Sequence, residues 1–227
     1  MKKIVGLMAC VLVTLFCVAA LAGVAINETN FPDANFRQYI QESGFDKDND
    51  GIISNSELRK VKKISCMDRS IESLTGIEYF SVLEELYCTG NNLTSLDVSK
   101  NTALVEMWCN FNQLTNLDVS KNTALLRLDC DHNQLASLDV SKNTALEVLR
   151  CATNQLTNLN VSKNKSLTAL DCGENQLTSL DVSKNKTLKE LCFSGNRLSN
   201  LDVSKNTALY FLYCDNNQLA SIDISNN

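Results

Sequence analysis

One interval dominates this chain. Leucines stand at Leu83, Leu104, Leu125, Leu146, Leu167, Leu188 and Leu209, each 21 residues after the last. The units they open follow L-x-x-L-x-C-x-x-N-x-L-x-x-L-D-V-S-K-N-T-A with small slips, and LDVSKNTAL recurs unchanged from Leu96, Leu117, Leu138 and Leu201. The asparagine slot is filled in all seven units, by Asn91, Asn112, Asn133, Asn154, Asn175, Asn196 and Asn217. A looser unit precedes them, with Val61, Ile64, Cys66, Ile71 and Leu74 in the apolar slots and Arg69 where asparagine belongs. A unit this short cannot bury its leucines alone, so it has to stack on its neighbours, and an atypical first unit suits the end of such a stack.

Alternation around L-x-C reads as a short strand with Leu86, Cys88 and their equivalents turned inward. Stacking sets identical residues about 4.8 Å apart, so the asparagines can run as a ladder that satisfies backbone groups in the turn. The units resemble leucine-rich repeats of a short bacterial type in which cysteine takes the third leucine slot. The resemblance covers residues 61–227. It implies an α/β-type solenoid, curved and right-handed, with parallel strands lining a concave face.

Lys2 and Lys3, an apolar run from Ile4 and the small residues of Ala20-Leu21-Ala22 read as an export signal, with a second cleavage choice after Ala25. The expected organisation is a signal peptide over 1–25, a cap over 26–62 and a solenoid over 63–227. Membrane contact is expected only through the signal segment, if it stays uncleaved. A secreted or cell-surface location follows. The net charge is -5, and the one basic run past Lys3 is RKVKK at Arg59–Lys63. Nucleic acid, which calls for a dense basic face, is not an expected partner.

Ahead of the repeats, Asp46 to Glu57 reads D-K-D-N-D-G-I-I-S-N-S-E. This spacing is that of an EF-hand loop, whose hard calcium ion takes several oxygens in a flexible cage. Asp46, Asp48, Asp50, the Ile52 carbonyl, Ser54 and Glu57 are the expected ligands, and Gly51 the sharp turn. Phe36, Tyr39 and Ile40 form the apolar stripe of an entering helix, and Leu58 and Val61 that of an exiting one. Only one such loop exists, so Ile53 needs a partner other than a second hand. It is expected to pack with the helices over the first repeats. Calcium then acts as a structural ion in a cap, and similar caps precede leucine-rich repeats in exported bacterial proteins.

Cys66, Cys88, Cys109, Cys130, Cys151, Cys172 and Cys214 share the inward slot. In-register parallel side chains point the same way, so free buried thiols are expected rather than bridges. Cys192 breaks the rule, because Phe193 takes its core slot. The single histidine, His132, lies too far along the stack to serve it as a base.

Three positions per strand face outward. They vary, so packing leaves them free. Tyr87, Trp108 and Phe111 form one aromatic group, Phe211 and Tyr213 a second, and Arg127, Asp129, Arg150 and Asp171 stand between them. Exposed aromatics and arginines serve as binding anchors, and solenoid curvature offers an extended surface. These nine residues are the expected site for a protein or glycan ligand. The resemblance implies a non-catalytic binding role in the style of bacterial adhesins and internalin-like proteins. A structural or envelope scaffold without a ligand is the alternative. No enzyme is expected: Asp129, Asp131 and Asp171 could mimic a carboxylate pair, but nothing would enclose a substrate.

Overall fold

The computed structural model describes residues 23–227, and most of the expected signal segment lies outside them. The cap comes first: β1 (Val24–Ala25), α1 (Ala34–Glu42), β2 (Ile52–Ile53) and α2 (Asn55–Leu58). The Asp33 carboxylate caps α1 by accepting the Phe36 N–H, and Ser54 with Glu57 forms a capping box on α2. Phe36 and Ile40 are fully buried, with Tyr39 packed against them. The exiting helix is a single turn, and Val61 lies beyond it on the way into the solenoid.

Ile53 finds its partner in β1. Strands β1 and β2 pair antiparallel, with Val24 opposite Ile53 and Ala25 opposite Ile52. The fold therefore uses Val24 and Ala25, two residues that the expected boundary at 25 assigned to the signal segment. Ile53 is also buried within the cap core, as its packing with the helices required.

The solenoid is one parallel sheet of eight strands in chain order: β3 (Lys63–Ser65), β4 (Glu85–Tyr87), β5 (Glu106–Trp108), β6 (Arg127–Asp129), β7 (Val148–Arg150), β8 (Ala169–Asp171), β9 (Glu190–Cys192) and β10 (Phe211–Tyr213). Each strand pairs with the next at an offset of one repeat, as Leu86 with Met107 and Leu128 with Leu149. Helices of the α/β-type solenoid are confined to the cap. Among the described return segments only Ile77–Tyr79 is helical, as a single 3-10 turn.

Two asparagine columns hold the rungs. Asn112 accepts the Leu93 N–H and donates to the carbonyls of Cys88 and Cys109. The second column, Asn101 to Asn206, comes from the recurring LDVSKNTA phrase and its near copies: Asn143, for example, donates to the carbonyls of Val119 and Asn122. The aspartate of the same phrase builds a side-chain turn, as where Asp118 accepts the Ser120 N–H at 2.8 Å. Asn160 does the same where asparagine replaces it.

All eight described cysteines are free, and Cys66, Cys88, Cys109, Cys130, Cys151 and Cys172 are buried. Backbone bonds place Cys88, Cys109 and Cys130 on successive rungs. Burial holds the Cys88 thiol well above its ordinary range, which keeps it protonated.

The cap closes the first rung. Phe31 meets Phe36, Tyr79 and Phe80 with ring centroids 5.9, 5.9 and 6.4 Å away. A side chain at Gly76 would strike the Phe31 ring, and its φ of 106° admits glycine. Arg69 lies 2.8 Å from Glu42 and over the Tyr39 ring.

Candidate functional site

The concave face is built from the outward residues of β3 to β10. Near the cap it is aromatic. The Tyr87 and Trp108 rings lie 4.6 Å apart, and Lys63 sits over Tyr87 while pairing with Glu85 at 3.0 Å. Trp108 is 39% exposed, but Tyr87 only 9%. The tyrosine therefore faces the concave side as expected yet lies beneath its neighbours, and its hydroxyl donates to Glu85 at 3.0 Å. Burial, that hydrogen bond and the charge of Glu106 hold its phenol above the ordinary range.

Phe111 stands just past β5 at a φ of 53°, a left-handed conformation that Gly90 and Gly195 occupy on other rungs. Its ring stacks on His132 at 4.1 Å and is 53% exposed. The histidine was absent from the expected site, although it occupies the slot one repeat after Phe111.

The middle of the face is charged. Arg127 pairs with Glu106 at 3.6 Å. A hollow of about 350 Å³ is lined by Glu106, Trp108, Arg127, Asp129, Val148 and Arg150. Beyond Arg150 a second hollow of about 410 Å³ is bounded by Asp131, Asp171, Glu190, Cys192 and Tyr213. Burial raises the Asp129 carboxyl, while burial and the charge of Asp129 push Asp131 up to about 7. At the far end Phe211 stacks with Tyr213 at 6.4 Å and lies 4.9 Å from Tyr210.

The expected site residues thus fall into three neighbouring patches on one sheet face and its rim. Sequence reasoning left Asp131 and Glu190 out of the site. The signal was present in the adjoining slots, where Ala169 and Gly173 open the space these carboxylates surround.

Cys192 is half-buried beside this hollow, and burial raises its thiol. That environment disfavours the thiolate a nucleophile needs.

In the cap loop, Asp46, Asp48 and Asp50 bring one carboxylate oxygen each to within 4.8 Å of one another. Hydrogen bonding with Asp46 and the charge of Asp50 hold the Asp48 carboxyl above its usual range. Gly51 takes a φ of 83°. Glu57 turns its oxygens to the backbone N–H groups of Lys47 and Ser54 at 2.6 and 2.8 Å, and so stands outside the aspartate cluster.

A parallel one-strand-per-repeat stack with asparagine and cysteine columns defines the fold as a leucine-rich-repeat solenoid, and its likenesses include internalins. Internalin J of Listeria monocytogenes serotype 4b (strain F2365) is 42% identical over 72 residues, which are 32% of this chain and 8% of that protein. The solved functional domain of InlJ from Listeria monocytogenes, described as including a cysteine ladder, superposes with a TM-score of 0.72 at 38% identity, over 90% of this chain and 50% of the InlJ chain. An internalin C2 from strain 4b F2365 of the same species shares the fold, with a TM-score of 0.75 at 21% identity, over 90% of this chain and 92% of its own. The chain therefore spans half of the InlJ domain and a small part of the curated Internalin J. No protein-family model matches it. No helix among the described residues is long and apolar enough to cross a membrane.

Proposed function

We propose that this is a non-catalytic, exported binding protein whose concave face takes up a partner protein and whose cap is held by a structural calcium ion. One observation carries the reading. Of eight large apolar side chains left exposed among the described residues, six, namely Met67, Trp108, Phe111, Tyr210, Phe211 and Tyr213, lie on or beside the concave face. Exposed aromatics gathered on one face mark an interaction surface, and these bracket a charged centre.

Calcium fits the loop on chemical grounds. Three carboxylates at close quarters repel one another, and a divalent cation relieves that repulsion. Asp46, Asp48 and Asp50 would supply oxygens, the Ile52 carbonyl and Ser54 would complete the near side, and Glu57 would join by exchanging its backbone bonds for the ion. Pairing of β2 with β1 supplies the strand contact that a second hand gives elsewhere.

Arrays of proteins and of glycans, probed with the full chain, test the reading. A protein ligand whose capture is lost in the Trp108→Ala, Tyr213→Ala double variant, with unchanged melting, is the expected result. Capture of glycans alone moves the ligand class, and no capture at all leaves a scaffold.

A further inference from the structure

The hollow beyond Arg150 is where the concave face departs from its own pattern. Outward residues on the β8 rung are small or short, Ala169, Asp171 and Gly173, while the flanking rungs carry Arg150, Glu190 and Tyr213. Open space results, about 410 Å³ of it. Asp131, Asp171 and Glu190 face it against one guanidinium, Arg150. Among the described residues none of these four makes an ion pair, whereas the face nearer the cap is neutralised by Lys63–Glu85 and Arg127–Glu106. Asp131 and Asp171 are oriented by accepting the N–H groups of Ala152 and Gly173 at 2.5 and 3.1 Å. The Tyr213 ring, 57% exposed, forms the far wall.

Carboxylates in excess of the single Arg150 guanidinium, beside an aromatic ring and a floor of small residues, suit a side chain with a cationic tip and an apolar stem. Charge complementarity of this kind selects partners as well as attracting them. The neighbouring hollow beside Trp108 has a different character, because Arg127 already neutralises Glu106 there. The two hollows centre on β6 and β8, two rungs apart, or about 10 Å at the strand spacing. Residues three apart in a polyproline-type segment lie on one side at roughly 9 Å.

We propose that the hollow bounded by Asp131, Arg150, Asp171, Glu190 and Tyr213 receives a lysine or arginine side chain of the partner protein, while an apolar side chain three residues away in the same segment enters the neighbouring hollow that Trp108 lines. This rests on the concave face being a protein-binding surface, and adds which residues choose the partner. The basic tip lies between Asp171 and Glu190, and its stem lies over the small residues of the β8 rung, with Tyr213 as the far wall. Burial and the charge of Asp129 already push Asp131 up to about 7 with no partner present, and an incoming cation relieves that cost.

Selection of a random peptide library displayed on phage, with the full chain as bait, tests the assignment. Enriched peptides should carry lysine or arginine with an apolar residue three positions away. Their capture should fall about tenfold or more in the Asp131→Asn, Asp171→Asn, Glu190→Gln variant. That variant keeps side-chain acceptors for the Ala152 and Gly173 N–H groups, and its melting should not fall below the parent's. In a second arm, Glu190→Lys should weaken a selected peptide, and replacing the basic residue of the peptide by glutamate should restore it. Peptides that depend on Trp108 but show no basic preference, or that bind the amide variant undiminished, overturn the pocket and leave the concave reading standing. Peptides indifferent to both Trp108→Ala and Tyr213→Ala overturn both, as does a selection that enriches nothing.

Discussion

Asn143 and Arg150 stand close in sequence and obey different constraints. The asparagine belongs to the return turn, is fully buried, and donates to two carbonyls of earlier rungs. The arginine belongs to the concave strand and makes no ion pair among the described residues. Both lie in columns set by one pitch. In the turn every copy meets the same backbone groups, so the same residue answers each time. On the concave face each copy meets solvent and its lateral neighbours, and residues differ from rung to rung. The turn accepts a standing cost for its uniformity: the Oδ1 atoms of Asn101, Asn122, Asn143, Asn164, Asn185 and Asn206 have no hydrogen-bond partner. Two donated bonds per asparagine offset it.

The sharpest way to break the comparison is to strike the buried side. Leu149→Ala removes a fully buried side chain from the inward slot beside Arg150. It should cost about 2–5 kcal/mol, read by chemical denaturation. Asn143→Ala removes one of two donors from each of the carbonyls of Val119 and Asn122, which keep the N–H groups of Asn122 and Leu125, at about 0.5–1.5 kcal/mol for each lost bond. A cost below about 0.5 kcal/mol for Asn143→Ala would mean the column is decoration rather than fastening.

The cap offers an intermediate case. With calcium at roughly ten times the dissociation constant of a weak extracellular-type site, binding adds about 1.4 kcal/mol by mass action. Chelation should therefore lower the melting temperature by a few degrees, and Asp48→Asn should abolish that shift. Melting that ignores chelator removes the structural ion. Smaller still is Trp108→Ala, which should stay within about 0.5 kcal/mol of the parent in stability while losing ligand.

The same contrast explains what could be read from the sequence. The repeat length, the inward leucines and thiols, and the first asparagine ladder follow from periodicity, because each depends only on a residue and its copies. The second asparagine column was hidden in plain view: LDVSKNTA repeats so uniformly that nothing singled out Asn143 from its turn. The concave side was legible as a list of outward slots but not as a surface. That Tyr87 is covered depends on Trp108 and Lys63 on the neighbouring rungs, and the hollow depends on what β8 lacks. Val24, the partner of Ile53, lies in a stretch whose composition reads as signal segment, so nothing local advertised its place in the cap.

The smallest expected effect tests whether the concave face carries a cost of its own. Burial and the charge of Asp129 push Asp131 up to about 7, whereas an aspartate in the unfolded chain titrates near 3.9. Between those values the folded protein holds a proton that the unfolded chain has released, so stability falls as pH rises from about 4 to about 7 and is level above that. Asp131 is still partly open to solvent, which screens the effect to less than about 1 kcal/mol, or roughly 2–4 °C. Asp131→Asn removes the titration and keeps the bond from Ala152. Its melting temperature should match the parent's near pH 4 and exceed it slightly at pH 8. Parallel curves across that range would show that the acidic hollow is already as comfortable as water, and that the strand face bears no more strain than the turn behind it.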